Sequence, residues 1–197
     1  MPFVFKRLAL SLSIAAAFAA DKPAPFRAPA AAAMEHHQTN PPVTIGVESY
    51  AEGEKVKTAF GKLDPYQYGV LPVLVVIQND GAETLKLDKL KAEFVSPRGD
   101  RIAATPAGDV RYARGADRPN IVTSPVGEVA KRMKKYPLSD PVIEVRALAA
   151  PVVEPGKSTS GFLYFRTGVQ VGSTLYLTGI TELKSGKELL FFEIPLQ

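Results

Sequence analysis

The sequence predicts an all-β protein, an antiparallel β-sandwich carrying one short inserted helix. Three observations carry that prediction. Roughly seven or eight apolar or alternating stretches follow one another at the turn spacing of a sandwich, divided by Gly, Pro, Asn and Asp. Sustained helical periodicity is confined to one stretch in the second half, so the crossover helices that a parallel α/β sheet requires have no place. The chain has 197 residues, 46% of them hydrophobic and 22% charged, which suits one or at most two compact domains.

The elements follow in order. Lys6 and Arg7 precede an apolar run over 8–18, shorter than the roughly 20 residues of a membrane span. Ala17 and Ala19 occupy the −3 and −1 positions of an A-x-A cleavage site. Residues 1–19 therefore read as a signal peptide, with a mature chain starting at Ala20 or Asp21. The expected location is outside the cytoplasm, periplasmic or extracellular, with no transmembrane span after cleavage. Residues 20–42 are rich in Ala and Pro and lack an apolar period, so they read as a disordered tether.

The domain, 43–197, is expected to open with a strand in which Val43, Ile45 and Val47 alternate with Thr44, Gly46 and Glu48. A short amphipathic helix follows over 54–60, ended by Gly61. The run 70–77 is almost wholly apolar and β-branched, as a strand buried on both faces requires, with Pro72 near its start or at a bulge. Asn79-Asp80-Gly81 closes it. A second strand region over 85–96 breaks near Asp88, and Ser96-Pro97-Arg98-Gly99-Asp100 turns into a short strand over 101–104. An insertion over about 106–137 comes next. It reads as a long loop to Thr123, then Ser124-Pro125 as N-cap and first helical residue, then an apolar stripe of Val126, Val129, Ala130, Met133 and Tyr136 that Pro137 ends. The last third predicts strands over 142–148, 158–166, 174–183 and 187–196, with Phe162, Tyr164, Phe191 and Ile194 in the core.

Several of these segments carry a resemblance. Tyr68 to Asn79, then Phe94-Val95-Ser96-Pro97-Arg98-Gly99, Val153-Glu154-Pro155-Gly156, Ser160-Gly161-Phe162-Leu163-Tyr164-Phe165 and Phe192-Glu193-Ile194-Pro195-Leu196 resemble a group of poorly characterised exported bacterial envelope proteins. The resemblance spans 43–196. It implies an immunoglobulin-like sandwich and brings no catalytic residues with it.

Composition narrows the chemistry. The chain has no Cys, which excludes disulfides, thiolate metal sites and a thiol nucleophile, and only two His. No paired carboxylates, Ser-His-Asp set or Gly-rich phosphate loop is evident, and no cofactor is implied. Asp109, Asp117, Asp140 and Glu144 are acids that the fold could gather into an unrecognised hydrolase site. Met34, His36 and His37, with Glu35 between them, form an alternative metal candidate, a copper-like site or carrier in which imidazole and carboxylate could take Cu(II), Zn(II) or Ni(II). Arg98-Gly99-Asp100 is an adhesion tripeptide that also satisfies ordinary turn chemistry. The most distinctive feature is charge: Arg111, Arg114, Arg118, Lys131, Arg132, Lys134 and Lys135 concentrate in and around the insertion, while the whole chain carries only +4. With no Trp and no aromatic stacking platform, nucleic acid is not the expected partner. The sequence thus predicts a noncatalytic exported binding module whose basic loop and helix meet an anionic envelope polymer or a protein partner.

Overall fold

The computed structural model describes residues 26–113 and 136–196. The signal segment 1–19, the start of the tether, and the expected helix as far as residue 135 lie outside the described residues; Tyr136, expected on that helix, is extended and precedes a 3-10 turn. Within them the chain is mostly antiparallel sheet: eleven strands in three sheets, with a few short helices. One four-stranded sheet has the order β1 (His36–Asn40), β2 (Val43–Ser49), β3 (Leu71–Asn79) and β8 (Ser158–Phe165). The other has β11 (Phe192–Pro195), β9 (Thr174–Thr178), β5 (Lys91–Val95) and β6 (Arg101–Ala103). A small sheet of β10 (Thr181–Glu182), β4 (Leu85–Lys86) and β7 (Val152–Val153) accompanies them. The expected sandwich is present.

Strand β3 explains why its sequence is apolar throughout. Leu71, Val73, Val75 and Ile77 enter the core shared with Phe94, Leu175, Leu177, Phe192 and Ile194 of the facing sheet. Leu74 and Val76, with Val70 just ahead of the strand, enter a second core on the opposite face, with Val56, Phe60, Ile143 and Phe162. Alternation thus fills two layers from one strand. Pro72 is the second residue of β3, and its carbonyl accepts from the Tyr50 N–H at 2.9 Å, just past the end of β2, so the donor that proline lacks falls beyond the last rung.

The second core is roofed by helical pieces. Helix α1 (Glu54–Phe60) turns Val56, Ala59 and Phe60 inward at i, i+3 and i+4. Beside it lie 3-10 turns at Ala107–Tyr112 and Pro137–Ser139 and helix α2 (Val142–Arg146). The expectation of a strand over 142–148 is corrected here. Asp140 ahead of Pro141 starts a helical turn, its Oδ1 accepting from the Val142 N–H at 3.0 Å, and the turn buries adjacent Val142 and Ile143, which a strand would point to opposite faces. The expected tether is also corrected from Phe26 onward. Ala31 and Met34 are buried in the second core, Phe26 packs against it, and 36–40 is strand β1.

One core assignment shifts by a residue. Phe192, fully buried, takes the place expected for Phe191, which is 49% exposed, because inward alternation in β11 runs through Phe192 and Ile194 and on to Leu196. Phe162, Tyr164 and Ile194 are buried as expected.

Both open sides of the sandwich are closed. Gln38 Oε1 accepts from the Glu193 N–H at 2.8 Å, and Asn40 Nδ2 donates to the Phe191 carbonyl at 3.0 Å, so β1 covers the edge of β11. Across the molecule, Thr105 and Ala147 bridge to Tyr164 and Phe162 along the outer edge of β8. Gly161 permits that approach, for a Cβ there would stand 2.4 Å from the Leu148 backbone.

Candidate functional site

The candidate contact surface begins where the chain leaves the frame. The two 3-10 turns, Ala107–Tyr112 and Pro137–Ser139, pack on each other and bury Val110 and Leu138 in the second core. They flank the stretch 114–135. Arg166 holds one root by donating from Nη2 to the Ala113 carbonyl at 2.7 Å. Arg111 is engaged at the same corner: Nη2 donates to Glu144 Oε1 at 2.7 Å and Nε to the Gly108 carbonyl at 2.8 Å. Its guanidinium is therefore already partnered within the fold, although the pair is partly open to water. Tyr68, Arg111, Tyr136, Pro137 and Leu138 line an apolar pocket of about 250 Å³ there. The other six residues of the basic set, Arg114, Arg118, Lys131, Arg132, Lys134 and Lys135, lie outside the described residues.

Two of the four acids weighed for a hydrolytic site have structural roles. Glu144 holds Arg111, and Asp140 caps α2. Asp109 sits in the 3-10 turn Ala107–Tyr112, and Asp117 lies outside the described residues. The Arg98-Gly99-Asp100 tripeptide forms a tight turn, in which Ser96 Oγ donates to Asp100 Oδ2 at 3.1 Å and the Gly99 N–H reaches the Ser96 carbonyl at 2.8 Å. Gly99 has φ 89°, the left-handed conformation that glycine tolerates.

The metal candidate does not assemble as its sequence proximity suggested. His36 and His37 are successive residues of a strand and point to opposite faces. The His37 Nδ1–H donates to the Met34 carbonyl at 2.8 Å. Met34 is buried against β2, where a Cβ on Gly46 would lie 2.5 Å from its Sδ. Among the described residues no group of three His, Cys, Asp or Glu side chains is placed to hold a metal ion.

His36 instead faces a polar cleft of about 450 Å³, where Glu35, Glu48, Ser49, Glu52 and Lys55 also line the walls. Lys55 Nζ donates to Glu48 Oε1. The Tyr50 phenol beside it is pushed well above its ordinary value, first by burial and then by the Glu48 carboxylate.

A further surface had only a weak sequence signal. On the solvent side of the β11-β9-β5-β6 sheet, Glu193, Tyr176, Glu93 and Ala103 stand in cross-strand register. The Arg101 guanidinium lies 4.6 Å from the Tyr176 ring centroid and donates to Glu93 Oε2 at 2.8 Å. Phe191 stacks on Tyr176 at 5.4 Å. Alternation of Thr174, Tyr176 and Thr178 with Leu175 and Leu177 already places Tyr176 outward, but pairing with Arg101 and Phe191 depends on strand order.

Comparison with known proteins adds little. No family model matches the chain, and no curated protein matches it. Among solved structures, Northeast Structural Genomics Consortium target SoR45 is 12% identical, covering 77% of this chain and 81% of its own, with a TM-score of 0.35. So loose a superposition carries no argument. No helix among the described residues is long and apolar enough to cross a membrane.

Proposed function

We propose that the chain is a noncatalytic, exported binding module of the cell envelope, a rigid sandwich that presents the basic stretch 111–135 to an anionic envelope component. One observation carries the reading: the chain on either side of 114–135 is rooted at a single corner by buried Val110 and Leu138. That stretch holds six basic and two acidic residues. Positive charge held on a fixed base raises the local concentration of an anionic partner without any catalytic group. Export rests on the basic start, apolar run and A-x-A site of residues 1–19.

The test uses the mature chain from Ala20, sedimented with vesicles of anionic or zwitterionic lipid and with a soluble acidic polysaccharide. Binding to the anionic probes should weaken as salt rises and fall at least about tenfold when Lys131, Arg132, Lys134 and Lys135 become Gln, the change expected when several screened charges are lost. Binding indifferent to salt and to those substitutions, or capture of a protein partner in preference to every anionic probe, would overturn the reading.

A further inference from the structure

We propose that the N-terminal arm, residues 26–40, is an exchangeable element, and that the edge of β2 it covers accepts the same arm from a second copy of this chain. The arm's strand is held lightly. β1 reads His-His-Gln-Thr-Asn, and none of its side chains is buried. Its grip consists of the backbone ladder to β2, the contacts of Gln38 and Asn40 with β11, and a Thr39–Thr44 hydroxyl pair at 3.0 Å.

The surface under the arm is built to receive it. Val43, Thr44, Ile45, Gly46 and Val47 of β2 are all buried. Gly46 leaves a slot in which Ala31 and Met34 rest, since a Cβ there would stand 2.6 Å from the Ala31 carbonyl oxygen. Farther along, the Phe26 ring meets Phe162 at 5.4 Å and Tyr50 at 6.3 Å, with the Arg146 guanidinium 5.4 Å from it. Uncovered, β2 would be a flat apolar edge, which pairs readily with any strand that fits. The strand that fits it is β1, which pairs with each residue of its buried run from Val43 to Val47.

The connection allows the transfer. Asn40 pairs with Val43, so arm and body are joined by Pro41 and Pro42 alone. Pro42 belongs to the body, for its carbonyl accepts from the Asp80 N–H at 2.9 Å, while Pro41 is exposed. The arm precedes every other described element, so swinging it out threads nothing. Reciprocal exchange restores each contact in the second copy, leaving concentration to decide between closed monomer and swapped dimer.

The chain has no Cys, which makes a clean trap available. Thr39 and Thr44 stand directly opposite one another, so Thr39→Cys with Thr44→Cys places two thiols within disulfide reach. The reduced mature variant is held at micromolar or millimolar concentration, warmed below its unfolding midpoint, diluted, oxidised and run on a non-reducing gel. A disulfide-linked dimer should grow with the holding concentration, and the unsubstituted chain should sediment as a dimer under the same conditions. Intrachain disulfides alone at every concentration would overturn the proposal. So would a sedimenting dimer whose disulfides are all intrachain, since that dimer joins through another face.

Discussion

At the scale of single residues, the packing depends on a few positions with no freedom to change. Gly46 is one: the arm lies on it so closely that a methyl group would meet the Ala31 backbone as well as the Met34 sulfur. The sulfur can swing away, but the Ala31 backbone clears a methyl group only if the arm lifts from β2, so Gly46→Ala should destabilise by about 1–3 kcal/mol, the usual cost of overpacking, as read in a denaturant titration. Asn79 is another. It is fully buried, and its Nδ2 donates to the Glu83 and Val153 carbonyls at 2.7 and 3.0 Å while its Oδ1 accepts from the Gly81 N–H at 3.0 Å. Asn79→Ala strands three backbone groups and should cost about 2–4 kcal/mol, with Asn79→Asp unable to restore the two donated bonds. The sequence marked Asn79 only as the start of a turn, because its second partner, Val153, lies 74 residues away.

At the scale of elements, local signals decided some identities and neighbours decided others. Helix α1 was legible because Val56, Ala59 and Phe60 lie between two glycines, Gly53 and Gly61, that bound it. Helix α2 was misread, since Val142-Ile143-Glu144-Val145-Arg146 alternates well enough for a strand, and only packing onto the second core selects the turn that Asp140-Pro141 can begin. Strand β1 carried no apolar signal at all, as its work is polar: Gln38 and Asn40 occupy backbone groups of β11 and of Phe191 just before it that would otherwise form an open edge. Replacing both with Ala should cost about 1–3 kcal/mol, two ordinary hydrogen bonds, and the loss should be local. Hydrogen exchange at the Glu193 amide should speed up far more than at Leu175 or Val75, buried in the core between the sheets.

At the scale of the whole molecule, one sheet lies between two cores, and the second of them holds two tyrosines that must stay neutral. Burial holds the Tyr50 and Tyr164 phenols above their usual value, with Glu48 adding to the effect at Tyr50 and Arg146 opposing it at Tyr164. The Tyr164 hydroxyl also donates to the Ile143 carbonyl at 2.7 Å, tying β8 to α2. Unfolded tyrosines ionise near pH 10, where the folded ones retain their protons, so above that pH the folded state binds more protons than the unfolded. Stability should therefore be complete below about pH 10 and fall as pH rises beyond it, by up to about 1.4 kcal/mol per pH unit for each tyrosine. Denaturation midpoints followed upward from about pH 9 should fall less steeply in Tyr50→Phe and in Tyr164→Phe, whatever their starting stability.

How much of this was legible follows from the range of the forces involved. Alternation, β-branching and turn residues act over a few positions, so the sequence by itself determined that the domain is β-rich, that β3 is buried on both faces, and that basic residues gather between Val110 and Leu138. Partnership is a property of residues far apart in the chain. Only the tertiary structure decided that His36 and His37 face opposite ways, that Glu144 takes Arg111, that Tyr176 lies between Arg101 and Phe191, and that the arm from Phe26 to Asn40 completes the fold, because each depends on which strand lies beside which.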